Sequence, residues 1–241
     1  IASPASLTAL ADAAQAADYK YEPGNAVGAF LEYARQLGKK GALVTCQKAC
    51  RLIMQNTDDP ERLATRAAAL AILAEVRGAA ALPDLLAAVD HADAKYRNAA
   101  LLSAERIRGA APVAEWVAKA GKVDAVRRSE IITMLGRQGN RTALPFIRAS
   151  LSASEPDVVL AAAESLARVE RAKGVPEILP LLKSAGSTTA APLAGILLWT
   201  IDEKHLEPLA GMLDTLPPTA KAAAVGVLGA KGGRRFSARV L

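Results

Sequence analysis

Helix starts recur along this chain at Arg66, Arg97, Arg128, Val159 and Ala191, in steps of 31, 31, 31 and 32 residues. Three residues after each stand Ala69, Ala100, Ile131, Ala162 and Ala194, and seven after stand Leu73, Ala104, Leu135, Leu166 and Leu198. Seventeen after, four of the five carry proline: Pro83, Pro145, Pro176 and Pro208; the second unit reaches Pro112 two residues early. A period of this length, apolar at helical spacing and with a proline in its second half, describes a pair of helices joined by a turn. Such a pair cannot bury its apolar stripe alone and must stack on its neighbours. The chain is therefore read as all-α, a solenoid of stacked antiparallel helix pairs.

Composition agrees. Hydrophobic residues make up 51% of the 241, alanine foremost, and aromatics only 4%. Alanine is the best helix former, and its short side chain lets helices approach closely. Alternating β-branched runs, the strand signal, are absent. The longest apolar run, Ala190 to Ile201, holds a proline and a glycine and is too short to span a bilayer.

Residues 1–59 fall outside the period and read as a helical cap for the first repeat, with 60–241 forming about five regular units and a degenerate sixth, all one continuous domain. The first helix is expected over 4–19, opened by Ser3-Pro4. A second, capped by Asn25, carries Val27, Phe30, Leu31 and Ala34 and ends at Gly38. A third, 40–56, turns Leu43, Cys46, Cys50, Ile53 and Met54 to one side. Two cysteines four apart on one helical face suit buried thiols; a bridge there would be strained. In the repeats, helices open near Pro60, Asp93, Asp124 and Glu155, where acids suit a helix N-terminus. Asp93 with Arg97, and Asp124 with Arg128, are i,i+4 pairs. Helices break at Gly78, Gly109, Gly139 and Gly174, read as positive-φ positions, and a proline then opens the partner helix. Thr219 to Gly229 begins the sixth unit, with Gly232-Gly233 as its turn. The chain opens at Ile1 and stops at Arg239-Val240-Leu241 inside what reads as a new helix, so a longer polypeptide is expected.

The pattern of an acid, an arginine four later, an alanine three later and a leucine four later, then a turn and a proline-led helix, resembles HEAT repeats over residues 60–230. The resemblance implies a right-handed, armadillo-type superhelix with arginine-led helices on the concave face and proline-led helices outside. It also implies that Arg66, Arg97 and Arg128 pack between neighbouring units, pairing with acids of the preceding turn or the adjacent repeat. Val159 and Ala191 depart from it. A shorter stretch, Tyr21 to Val27 with Phe30 to Gly38, resembles the start of the HEAT-like region in bacterial exported proteins that join it to a 3-keto-disaccharide hydrolase-type β-sandwich. That likeness favours a periplasmic or exported location over a cytoplasmic one. No β-sandwich sequence is present, so any hydrolase activity would lie elsewhere.

Nine residues after each start stand Glu75, Arg106, Arg137, Arg168 and Thr200, opposite the buried stripe at 100° per residue. Arg106, Arg137 and Arg168 are thereby expected on one surface, about 10 Å apart, above small residues such as Ala68, Ala99 and Ala161. Guanidinium forks suit carboxylate or phosphate, so these three are the candidate binding residues; Glu130 and Glu164 beside them equally fit a solvated charged face.

Catalytic and metal constellations are not found in the sequence. His91 and His205 read as exposed turn residues without a nucleophile or ligand pattern. Gly121-Lys122-Val123 lacks the hydroxyl of a phosphate loop. No cofactor is expected. The reading is a non-catalytic scaffold that binds protein, or a neighbouring domain of the same polypeptide. The alternative is a nucleic-acid-binding module, suggested by the net charge of +6. Of that charge +4 sits on Lys231, Arg234, Arg235 and Arg239 at one end. A third reading, an alkylpurine DNA glycosylase with a HEAT-like fold, fits least. It needs an aromatic base-holding cleft, whereas Trp116 falls on a proline-led helix and Trp199 is expected to pack against its neighbour.

Overall fold

The computed structural model describes residues 6–232 and Phe236. The all-α expectation holds: the described residues form helices and short turns, with no strand among them. They divide into two compact units, Ile1–Lys119 and Ala120–Leu241.

The first unit begins with α1 (Leu7–Ala16), α2 (Ala26–Lys39) and α3 (Leu43–Gln55), followed by α4 (Leu63–Arg77), α5 (Leu82–Ala88), α6 (Ala94–Ala104) and α7 (Ala110–Ala120). The three leading helices pack on one another, and α2 and α3 both lie on α4, which in turn packs on α5 and α6. Phe30, Ala34, Leu37, Cys46, Cys50, Ile53, Leu70 and Leu73 are all buried here. Both cysteines are free thiols, as their spacing requires; the Cys46 sulfur alongside and burial push the Cys50 thiol up.

Several boundaries differ from the sequence reading. The start at Ser3-Pro4 lies outside the described residues, and α1 stops at Ala16 because Asp18 and Tyr19 take positive φ, turning the chain so that the Tyr19 side chain is buried. Asn25 does not cap α2 with its side chain: it is itself left-handed, and the Glu22 carboxylate accepts the N–H groups of Gly24 and Ala26 instead. Gly38 does not end α2, which runs on through Lys39; a Cβ at Gly38 would fall inside the Val76 side chain, so glycine there lets α4 approach. Leu43 is exposed rather than part of the α3 face.

The second unit runs α8 (Ala125–Gln138), α9 (Leu144–Ser150), α10 (Pro156–Glu170), α11 (Val175–Ile178, continued as a 3₁₀ turn over Leu179–Ser184), α12 (Ala190–Thr200), α13 (Leu206–Met212) and α14 (Pro218–Gly232). Here α8 packs on α10, α10 on α12 and α12 on α14, while α9 covers α10, α11 covers α12 and α13 covers α14. That is the stacked-pair arrangement the period predicts. Leu135 and Leu166 are both fully buried, at matching places in successive repeats. Pro83, Pro145 and Pro176 stand in the first turn of their helices, where a missing N–H costs nothing. Gly232 is still helical, not a turn, and Gly233 together with Arg234, Arg235, Arg239 and the last residues lies outside the described set.

The fifth repeat corrects the register. Leu193 and Leu197 are buried, whereas Ala191 and Leu198 are exposed. Its start is therefore Ala190, not Ala191, and the step is 31 residues throughout.

Candidate functional site

The aligned arginines are structural. Arg66 donates to the Met54 carbonyl at 2.9 Å and faces Asp58 at 2.6 Å, with its guanidinium over the Tyr96 ring. Arg97 is buried and donates to the His91 and Ala92 carbonyls of the preceding turn. Arg128 donates to the Ala120 carbonyl and stands 3.9 Å from Glu155 of the next repeat. Each arginine thus ties a helix start to carbonyls at the end of the preceding helix (Met54, Ala120) or in the loop after it (His91, Ala92). Asp93 and Asp124 serve as N-caps, accepting the Tyr96 and Arg127 N–H groups at 2.8 and 2.9 Å. The Asp124 carboxylate also pairs with Arg127, a residue before the partner expected.

The surface row resolves differently along its length. In the first unit Arg106 is exposed and lines a small depression with Glu75, Leu102 and Ser103. In the second unit Arg137 and Arg168 come together around a depression of about 450 Å³, joined by Gly136, Gly139, Arg171 and Trp199. The cause is the crossing of α8 and α10: a Cβ on Gly136 would lie 2.7 Å from the Ser165 Cα, and the Ser165 hydroxyl donates to the Ile132 carbonyl at 2.9 Å. Two helices this close bring the residues following Gly136 and Ser165 round to one surface. Gly136 and Gly139 are the small residues that line the depression.

Arg168 pairs with Glu164 at 2.6 Å, and its guanidinium lies 5.9 Å from the centre of the Trp199 ring. Trp199 is 44% exposed, against the expectation that it would be packed. Once the fifth start is Ala190, Trp199 is ninth after it, in the row with Arg137 and Arg168; Thr200, the residue expected there, is buried and donates back to the Ile196 carbonyl. A strict period of 31 would have revealed this in the sequence.

Arg171 is the other residue the sequence reading missed. Gly174, expected to take positive φ, has φ of −81°, and Arg171 takes φ of 56° and ψ of −137° in its stead. Gly139 and Gly109 do take positive φ. Twelve residues after the repeat start, the first and second units carry Gly78 and Gly109; the fourth carries Arg171. That substitution is visible once the repeats are aligned.

A larger depression, about 640 Å³, lies in the first unit between α3, α5 and the turn before α6. Its charges answer one another: Arg51 faces Asp84 at 3.2 Å and Arg66 faces Asp58. His91 is half-buried rather than exposed, its Nδ1 accepting the Asp93 N–H and its ring edge-on to Tyr96. His205 is buried, with Nδ1 against Asp202, rather than an exposed turn residue. Trp116 is buried within α7. Among the described residues, no group of three or more His, Cys, Asp or Glu side chains could hold a metal ion, and no helix is long and apolar enough to cross a membrane.

Residues 113–192 match the family model of HEAT repeats, from α7 to the start of α12. The repeats that form the second unit's depression lie mostly within that match. HEAT repeats generally mediate protein interaction or scaffolding. No curated protein matches the chain.

Proposed function

We propose that the chain is a non-catalytic scaffold that binds a protein, or a neighbouring domain of its own polypeptide, through the surface row of Arg106, Arg137 and Arg168. The observation carrying this reading is the contrast between two arginine sets. Those at the repeat starts are consumed by carbonyls and carboxylates of the fold, whereas all three of the row nine residues later are exposed, Arg106 in the turn after α6 and Arg137 and Arg168 near the ends of α8 and α10. Within each unit, stacked helix pairs hold these arginines in place before any partner arrives, so little ordering entropy opposes binding there. In this reading α1, α2 and α3 close the end of the repeat array, and 1–241 acts as one domain.

The experiment is charge reversal. Proteins retained on the immobilised chain should be lost, or bound at least tenfold more weakly, by R106E/R137E/R168E, with helicity by circular dichroism unchanged. Retention of every partner by that variant would remove the row from any binding role.

A further inference from the structure

We propose that the depression formed by Arg137, Arg168, Arg171 and Trp199 binds the carboxylates of an acidic peptide segment, an apolar side chain of that segment lying on the exposed indole. The proposal rests on the scaffold reading above and names the chemistry its partner presents.

The first argument is the backbone of Arg171. Its φ of 56° with ψ of −137° belongs to a region open to glycine and strained for any residue with a Cβ. Gly78, at the matching place in the first repeat, adopts φ of 53° and ψ of −128°. The turn is thus one that glycine solves without strain, and in the fourth repeat an arginine occupies it. The side chain gains nothing within the fold for the change: the Arg171 backbone N–H donates to the Ala167 carbonyl as glycine's would, while its guanidinium is exposed and has no hydrogen-bond or ion-pair partner among the described residues. Its position in the depression gives it a use, as a third guanidinium converging on the same space.

The second argument is charge and shape. Three guanidiniums line this space, and its lining includes no carboxylate; Glu164 stands beside it, paired with Arg168. Planar guanidinium forks pair bidentately with carboxylates. Trp199 adds a flat apolar wall at one side, its ring already carrying the Arg168 cation on one approach. A site with both elements favours an acid beside an apolar residue over a bare ion. A nucleic acid strand would need successive cations along a track. Among the described residues of this unit other arginines face carboxylates instead: Arg127 meets Asp124, and Arg148 meets Glu177 and Glu170.

Intrinsic fluorescence tests the proposal, because the chain has two tryptophans and only Trp199 is exposed. Titration of the full chain with a short peptide of glutamates around one phenylalanine should give a saturable change that W199F abolishes. R137A and R168A should each weaken binding about tenfold, the effect of losing one charge-assisted hydrogen bond. R171G is the discriminating variant. It should weaken the peptide comparably while melting at or above the parent temperature, since it restores the residue the turn prefers. Inorganic phosphate should compete only weakly, lacking the apolar contact. Parent-like peptide affinity in R171G overturns the proposal, as does a parent titration that fails to saturate. If the peptide fails while captured proteins still depend on the charge of the row, the scaffold reading stands and the acid-binding pocket does not. Tighter binding of an oligo-dT strand than of the peptide, falling steeply with salt, overturns it in favour of nucleic acid.

Discussion

Gly136 shows how much one missing methyl can decide. It is buried in the last turn of α8, and inside a helix glycine costs up to about 1 kcal/mol in propensity relative to alanine. Its role is contact: a Cβ there would meet the Ser165 Cα at 2.7 Å and that residue's side chain still closer. Backbone cannot retreat as a flexible side chain can, so α8 and α10 would have to separate. We expect G136A to destabilise the chain by about 1–3 kcal/mol, the usual cost of overpacking, despite its better helix propensity. The same separation should weaken peptide binding at Arg137 and Arg168, whose convergence depends on that crossing. Chemical denaturation and the fluorescence titration read the two effects; a stabilised G136A would mean the crossing is looser than described. None of this was legible in the sequence, where Gly136 reads as an unremarked residue inside a helical stripe. Periodicity reports which face is buried, and close approach of two backbones leaves no periodic trace. Leu135 and Leu166 are the reverse case: their burial follows from spacing alone, and both are fully buried.

Helix beginnings were legible where a short side chain does the capping. Asp93 and Asp124 each place a carboxylate oxygen on the N–H three residues on. Glu155 stands at the equivalent position of α10 and makes no side-chain cap; its carboxylate takes the Ser154 hydroxyl instead, which with the local backbone holds it below the usual carboxylate range. The added methylene carries the glutamate oxygens past the N–H groups that aspartate reaches. D124A should therefore cost about 1 kcal/mol, the ordinary value of an N-cap. E155A should stay within about 0.5 kcal/mol of the parent, like most exposed substitutions. Equal losses in thermal melts of the two variants would show that charge at the helix start, not the cap bond, is what matters. Register in α12 was misread for a related reason. Its sequence is apolar nearly all round, so Leu197 and Leu198 are equally good candidates for the buried position, and only packing on α10 and α14 selects Leu197. Trp199 was lost to the site by that one-residue slip.

A stack of repeats distributes stability differently from a single globular core. In the second unit α10 packs chiefly on α8, α9 and α12. Stability in such an array is the sum of each repeat and its nearest-neighbour interfaces, so a defect weakens its surroundings first. L166A removes a fully buried side chain from α10 and should cost about 2–5 kcal/mol. Native-state hydrogen exchange should report that loss as reduced amide protection in α8, α10 and α12, with α2 and α3 of the first unit retaining parental protection under native conditions. A chain folding as one indivisible core would instead lose protection by the same free energy in both units. Such uniform loss would contradict the repeat-by-repeat reading, which the 31-residue period suggested and the packing within each unit supports. The experiment bears on function too. If α8 and α10 open together when Leu166 is truncated, the pocket that they and Trp199 form should weaken with them, whereas Arg106 in the first unit should keep its protection and surroundings.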